Sequence, residues 1–294
     1  MNAWQIDPRR YQIAVLSMLL VVGVAVLEFP IAWLVAVAIF AGALGVQYVG
    51  ATWCSRMPFD PASALISSLS LCLLLRTQEP WIGLLAGGLA IASKFAIQWR
   101  GKHVFNPTNF ALLICITAFD QAWIAPGQWG SNAIAAVALA GVGLFVITRA
   151  SRFDVTVAFL GAYAGGLLAR AWWLGDPLAI VGHQLQSGAL LIFAFFMISD
   201  PRSTPDSRMG RVVFALVAAL GALYAQLWCF SPNALIYGLA GAALLTPLLD
   251  RLFTGSRYQW YRATRSVPAP RAEAIPCAHP GQSLVLNTTP KVRI

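Results

Sequence analysis

Residues 93–114, SKFAIQWRGKHVFNPTNFALLI, decide the fold, because a short basic turn joins two apolar runs there. The dipeptide Asn106-Pro107 predicts that a helix starts at the second run. An asparagine side chain caps free N–H groups, and a proline at the first helical position lacks an N–H that would have no partner. A similar segment, Phe230-Ser231-Pro232-Asn233, precedes the last apolar run. The repetition indicates that the chain consists of two related halves.

The composition excludes a soluble domain. Of the 294 residues, 59% are hydrophobic and 11% are charged, whereas soluble domains carry about 25% charged residues. The net charge of +9 does not indicate nucleic-acid binding, since the basic residues lie between apolar runs and in the C-terminal segment, where membrane topology explains them. The sequence therefore predicts an all-α integral membrane protein whose surroundings are the lipid bilayer.

Ten apolar segments approach the roughly 17–25 residues that a helix needs to cross a bilayer. They are residues 12–27, 31–49, 61–75, 81–97, 107–119, 131–148, 154–173, 178–198, 209–228 and 232–252. With ten spans, 18 of the 20 Lys and Arg residues fall on the side of the termini, and only Arg76 and Arg170 fall on the other. The positive-inside rule then predicts cytoplasmic termini in a cell inner membrane.

The two halves predict a domain plan. Residues 1–256 form the membrane domain, with one repeat at about 12–125 and the other at about 131–252, and residues 257–294 form a disordered cytoplasmic tail. An odd number of spans per half means that the repeats are inverted, and inverted repeats place binding sites near their interface, often at short or broken helices.

The chain shows no catalytic constellation. No charged residue lies near the middle of a predicted span, and the five cysteines have no metal-ligand spacing. The middle of each span therefore lacks the buried carboxylates that ion relays use. We therefore predict no catalytic residue and no metal site.

Polar residues concentrate instead at helix ends. The predicted ligand contacts around the basic turn are Lys94, Lys102, His103, Asn106, Thr108 and Asn109. Asp200, Ser203 and Arg211 are predicted to close the same side, and Ser187 lies in a small Ser-Gly-Ala segment of span eight. Helix N-termini and basic side chains attract anions and hydrogen-bond acceptors. The alternatives are a capped helix with lysine and arginine side chains reaching the interface, a stiff loop with Asp200 paired to an arginine, and close packing of small residues.

Several segments together resemble the NQR2/RnfD/RnfE membrane family. They are Lys102-His103-Val104-Phe105-Asn106-Pro107-Thr108-Asn109-Phe110, His183 with Ser187-Gly188-Ala189, Phe195-Phe196-Met197-Ile198-Ser199-Asp200-Pro201 with Gly210-Arg211, and Pro247-Leu248-Leu249-Asp250. This resemblance runs from about Asp60 to Arg251. It implies a ten-helix inverted-repeat bundle and flavin-linked electron transfer across the membrane.

The resemblance also implies covalent FMN on a threonine of an S/T-G-A-T motif between spans five and six. Here that connection, residues 120–131, contains no threonine, and Ser187-Gly188-Ala189-Leu190 has leucine where threonine is needed. We therefore predict a noncovalent flavin, FMN or riboflavin, or a quinone.

Three functions remain open at the level of sequence. The first is a component of an ion-translocating oxidoreductase that works with redox partner proteins on its cytoplasmic face. The second is a channel or transporter for a small solute on the same bundle. The third is a scaffold that anchors a soluble partner through its basic face and tail.

Overall fold

A computed structural model of the chain describes residues 7–53, 59–124, 141 and 153–258. The helices of these ranges are α1 (Pro8–Ala25), α2 (Trp33–Trp53), α3 (Pro61–Leu74), α4 (Pro80–Ala96), α5 (Pro107–Ala118), α6 (Phe153–Leu174), α7 (Leu178–Leu185), α8 (Gly188–Ile192), α9 (Arg208–Leu227) and α10 (Ala234–Leu252). The π-helical turn Phe193–Met197 directly follows α8. Four two-residue strands, β1 (Leu75–Arg76), β2 (Gln98–Trp99), β3 (Lys102–His103) and β4 (Trp123–Ile124), form the antiparallel pairs β1–β4 and β2–β3.

The described part confirms a helical membrane protein. Four helices, α2, α6, α9 and α10, are long and apolar enough to cross a bilayer, and a fifth is added if the bent pair of α7 and residues 188–197 is counted as one span. Helices α3, α4 and α5 are apolar and shorter. Each predicted span within the described ranges has a helix at its place. The predicted span 131–148 and the tail beyond residue 258 lie outside the described residues, so the count of ten stays a prediction.

The predicted span eight is not one continuous helix in the structure. It is bent by 50° between Leu185 and Gly188, because Ser187 adopts extended backbone angles (φ −60°, ψ 120°) as the residue before α8. The widened turn that follows leaves carbonyls free for other partners, and the Thr156 hydroxyl donates to the carbonyl of Ala194 at 2.8 Å. Such π-helical turns are frequent at functional sites.

Of the two predicted helix starts, the one at Pro107 is confirmed and the one at Pro232 is wrong. Asn106 accepts a hydrogen bond from the main-chain N–H of Asn109 at 3.0 Å and Pro107 opens α5, as expected. The last helix, in contrast, begins at Ala234 rather than at Pro232. The Ser231 hydroxyl accepts from the main-chain N–H of Asn233 at 3.2 Å and so forms a turn before the helix. The resemblance between the two segments therefore does not extend to the same cap.

Glycines bring neighbouring helices into close contact. A Cβ on Gly42 of α2 would lie 2.1 Å from the carbonyl oxygen of Leu84 in α4, and a Cβ on Gly87 would lie 2.1 Å from that of Ile39. Helices α9 and α10 approach similarly at Gly238. Small residues at such contacts drive helix association in membranes, where lipid removes the hydrophobic advantage of burial.

Polar contacts collect several helix ends on one side of the bundle. Arg9 at the start of α1 pairs with Asp60 before α3 at 2.6 Å. Arg211 at the start of α9 pairs with Asp154 at the start of α6, also at 2.6 Å. Lys102, in the turn between α4 and α5, contacts the last turn of α10. We call this side the basic face, and Arg9, Lys94, Lys102, Arg202 and Arg211 are among its cationic residues.

Candidate functional site

A small polar cavity lies at the basic face. Its lining consists of Arg9, Gln12, Ser63, Ile66, Ser67, Ser70, Lys94, His103, Asn106, Pro107, Thr108, Phe196, Asp200 and Arg202. Five of the ten predicted site residues therefore meet here, namely Lys94, His103, Asn106, Thr108 and Asp200. The volume is about 50 Å³, which admits one or two water molecules. A flavin or quinone ring does not fit this space.

Lys94 reaches from the last turn of α4 to the first turns of α3. Its ammonium donates to the carbonyl oxygen of Ser63 at 3.1 Å, to the hydroxyl of Ser63 at 2.8 Å and to the hydroxyl of Ser67 at 3.2 Å. The side chain is buried, and no carboxylate of the described residues lies within ion-pair distance of it. A buried cation held only by neutral oxygens marks a polar site, because an unpaired charge is expensive inside a membrane bundle.

His103 is neutral at physiological pH. Burial, together with the charges of Arg202 and Lys94, lowers its pKa from 6.5 to about 3. Its Nδ1 atom is buried and has no hydrogen-bond partner among the described residues. The imidazole therefore presents a ring nitrogen whose hydrogen-bonding capacity no described residue uses.

Stability is expected to fall between pH 6.5 and pH 5 because of His103. Below pH 6.5 the unfolded chain takes up a proton on this residue, whereas the folded chain does so only near pH 3. The histidine contribution is thus fully present above pH 6.5 and decreases by about 1.4 kcal/mol per pH unit below it. Between pH 6.5 and pH 5, the free energy of unfolding of His103→Gln should fall by about 2 kcal/mol less than that of wild type. His183→Gln, at an exposed position, should show the same pH dependence as wild type. Thermal unfolding measures all three proteins. Parallel curves for wild type and His103→Gln would contradict this account.

Asp200 shapes the loop that covers the cavity. Its carboxylate accepts from the main-chain N–H of Arg202 and from the Ser203 hydroxyl, each at 3.1 Å. The Thr204 hydroxyl donates to the Asp200 carbonyl at 3.0 Å. Among the described residues, the Asp200 carboxylate therefore bonds to a main-chain N–H and a hydroxyl, and not to an arginine side chain as the alternative interpretation expected.

The other predicted residues of the basic face join different helices and turns to one another. Lys102 pairs with Asp206 at 3.0 Å and with Asp250 at 2.7 Å, and Asp250 also accepts from the main-chain N–H of Asp206 at 2.8 Å. We call these three residues the Lys102 triad. Arg211 pairs with Asp154. The Asn109 amide donates to the carbonyl of Ile236 at 3.3 Å, which joins α5 to α10. None of Lys102, Asn109, Ser203 or Arg211 is among the described lining of the small cavity.

A larger cavity extends from the opposite helix ends to the π-helical turn. Its described lining consists of Leu74, Ile124, Tyr163, Gln184, Ser187, Ala189, Leu190, Phe193, Met197, Gln226 and residues 231–236. The volume is about 310 Å³, which is at the lower end of the range for small-molecule sites. The Tyr163 hydroxyl hydrogen-bonds the Gln226 side chain beside it. Ser187 is the predicted site residue found here.

The chain matches the family described as the NQR2, RnfD, RnfE family over residues 121–259. The chain is similar to this family over that segment, which is just under half of its 294 residues. It is 25% identical over 267 residues to the D subunit of the ion-translocating oxidoreductase complex of Halorhodospira halophila, covering 66% of this chain and 74% of the relative. It is 26% identical over 252 residues to the protein of the same name from Alcanivorax borkumensis, covering 64% and 72%. A shorter match to that of Klebsiella pneumoniae is 31% identical over 115 residues, covering 38% and 32%.

Segments that carry the resemblance to the NQR2, RnfD, RnfE family meet at the basic face. The amide of Asn106, from the turn before α5, donates to the carbonyl of Met197 in the segment after α8 at 3.1 Å. Lys102 of the same turn pairs with Asp250 near the end of α10. Residues far apart in the sequence thus hold the two halves together through one turn.

Sequence reasoning missed several residues of both cavities. Ser63 and Ser67 lie four residues apart and therefore share one face of α3, and this spacing was the available signal for the contacts with Lys94. Tyr163 and Gln226 lie on different helices of the second half. Nothing in the local pattern around either residue distinguishes it from an ordinary helix residue.

Proposed function

We propose that the chain is a membrane-embedded subunit of an ion-translocating electron-transport complex, similar in role to the relatives named above, and that it binds a noncovalent flavin or quinone. The family and the names of the relatives support the first part. The larger cavity carries the second part, because its volume of about 310 Å³ suits a ring system. Redox partner proteins would dock on the cytoplasmic face.

The lining of the larger cavity favours a neutral ring. No described lining residue is charged, so a phosphate group would have no cationic partner there, and an unpaired buried charge is costly. FMN therefore fits these residues poorly. The side chains of Ser187, Gln184 and Gln226 offer hydrogen bonds to ring carbonyls, while Leu190 and Phe193 supply apolar contact. A quinone or riboflavin satisfies both features.

The packing of the helices supports the proposed inverted repeats. Helix α2 packs on α4 in the first half, and α6 packs on α9 in the second. These are the second and fourth spans of each predicted repeat. Helices α5 and α10, the last span of each repeat, contact one another. The proposed architecture is thus a ten-helix bundle with this contact at the interface and with cytoplasmic termini.

Ligand titration of the purified protein tests the binding proposal. In detergent, a short-tailed quinone or riboflavin is expected to raise the melting temperature by about 2–4 °C at concentrations well above Kd, whereas FMN raises it less. Ser187→Phe should fill the cavity and weaken binding at least tenfold. Gln186→Phe, at the adjacent position, which is not among the described lining residues, is the matched control. No shift with any of the three compounds, or unchanged binding by Ser187→Phe, would overturn the proposal.

A further inference from the structure

The small cavity at the basic face has more positive than negative charge in its lining. Arg9, Lys94 and Arg202 line it, against the single carboxylate of Asp200. That carboxylate already accepts from the main-chain N–H of Arg202 and from the Ser203 hydroxyl. Within the described ranges, no carboxylate lies at ion-pair distance from Lys94 or Arg202. The charges of this cavity therefore favour an anion as its occupant.

The charge of Arg9 is balanced outside the lining of the cavity. Its guanidinium pairs with Asp7 and with Asp60, each at 2.6 Å. The exposed Arg10 also acts on Asp7, so two cations and two carboxylates cancel here. The other charged groups of the lining are two cations and one carboxylate. They leave one positive charge in excess, which one monovalent anion neutralises.

Arg202 supplies the donors that an anion needs. Its guanidinium carries several N–H groups, and none of them has an acceptor in the part of the chain that the structure describes; only its main-chain N–H is bonded. The Lys94 ammonium already donates to oxygens of Ser63 and Ser67, so it contributes charge. The buried Nδ1 atom of His103 has no described partner either, and it donates in the tautomer that carries the proton there.

The space admits only a small anion. The cavity has a volume of about 50 Å³, enough for one or two water molecules, and a chloride ion is only slightly larger than a water molecule. The larger phosphate group of a nucleotide or a lipid does not fit. The hydroxyls of Ser70 and Thr108 also line the cavity, and a hydroxyl can turn its hydrogen towards an anion.

We propose that the small cavity binds one chloride ion, or another monovalent anion of that size, held by the Arg202 guanidinium beside the ammonium of Lys94 and the ring of His103. The ion neutralises a positive charge that would otherwise be largely buried without a partner, which is costly. Arg202 follows the π-helical turn, whereas Lys94 and His103 belong to the first predicted half, so the ion joins the two halves. This site is separate from the larger cavity, and the proposal does not depend on which ring compound binds there.

Exchange of the anion in solution tests the proposal. The full chain is purified in detergent and melted at neutral pH in sodium chloride, sodium bromide and sodium gluconate of equal ionic strength. The melting temperature is expected to be about 2–4 °C higher in chloride or bromide than in gluconate, because gluconate is too large for the cavity. Equal melting temperatures of wild type in the three salts would overturn the proposal.

Two arginine variants separate specific binding from a general salt effect. Arg202→Gln removes the guanidinium and its charge, and it should reduce the difference between chloride and gluconate to less than about 1 °C. Arg208→Gln is the matched control, because Arg208 is exposed and is not among the described lining residues. This control should keep the full difference. An equal response to chloride in both variants would overturn the proposal.

Anomalous X-ray scattering locates the ion without a variant and so remains decisive if Arg202→Gln does not fold. Crystals of wild type grown in bromide should show an anomalous peak in contact with the Arg202 guanidinium inside the small cavity. Bromide peaks at the surface alone, with none in the cavity, would overturn the proposal.

Discussion

Replacement of Lys102 by Met is expected to lower the free energy of unfolding by about 3–5 kcal/mol, the usual effect of removing one partner from a buried ion pair. The Lys102 side chain is 7% exposed, and its ammonium lies 3.0 Å from Asp206 and 2.7 Å from Asp250. The main-chain N–H of Asp206 also donates to Asp250. Without the ammonium, two carboxylates would face each other in a largely buried place with one N–H between them.

The loss of stability in Lys102→Met arises from the two carboxylates that remain without a cation, so neutralising them provides a control. Combining Lys102→Met with Asp206→Asn and Asp250→Asn removes the uncompensated charge, so the triple variant should recover a large part of the lost stability. Arg170→Met, at a pair with Asp176 that is 44% and 34% exposed, should change stability by less than about 1 kcal/mol. Unfolding in detergent, followed by circular dichroism, measures all variants. A triple variant no more stable than Lys102→Met would contradict the explanation.

The helices were predictable because their physics is local. Apolar length and the need to satisfy backbone hydrogen bonds in lipid determine helical segments whose ends agree with the structure to within a few residues. Asn106-Pro107 was equally local, since a cap and a first-turn proline act within four residues. The bend at Ser187 was not predictable in this way. The residues around it are apolar or small, and their hydropathy is the same whether the helix is straight or broken.

The candidate site was predictable only where one sequence segment supplies several of its members. His103, Asn106 and Thr108 meet because they belong to one turn, and Lys94 joins them from the helix before it. The partners of these residues come from elsewhere. Asp206 and Asp250 lie 104 and 148 residues from Lys102, and spacing along the chain carries no information about such contacts.

The larger cavity could not be located from the sequence for the same reason. It lies between α6, α8, α9 and α10, and its polar members Tyr163 and Gln226 are 63 residues apart. Only Ser187 stood out in the sequence, because small residues near the end of a span permit either close packing or a ligand. The basic turn therefore marks a polar cavity that is too small for a ring, whereas the space for a ring is reached from the opposite ends of the helices.

Asn106→Ala is expected to destabilise the protein by about 2–4 kcal/mol, and Asn233→Ala by less than about 0.5 kcal/mol, although both residues precede the last helix of their half. Asn106 caps α5 through the N–H of Asn109, a contribution of about 1 kcal/mol. Its amide also donates to the carbonyl of Met197 at 3.1 Å. Alanine would leave that buried carbonyl with the longer contact from the main-chain N–H of Asp200 at 3.4 Å, so the further cost is about 1–3 kcal/mol.

Asn233 provides the comparison because it is the N-cap residue of α10 yet makes no side-chain capping hydrogen bond. Asn106→Ser separates the two contributions of Asn106. Serine retains a capping oxygen but cannot reach the Met197 carbonyl, so its loss should lie between those of wild type and Asn106→Ala. Similar melting temperatures for Asn106→Ala and Asn233→Ala would mean that the contact between the turn and residue 197 does not hold the halves together. A loss confined to Asn106→Ala and partly restored by serine would show that the asparagine stabilises both its own helix and the junction with the second half.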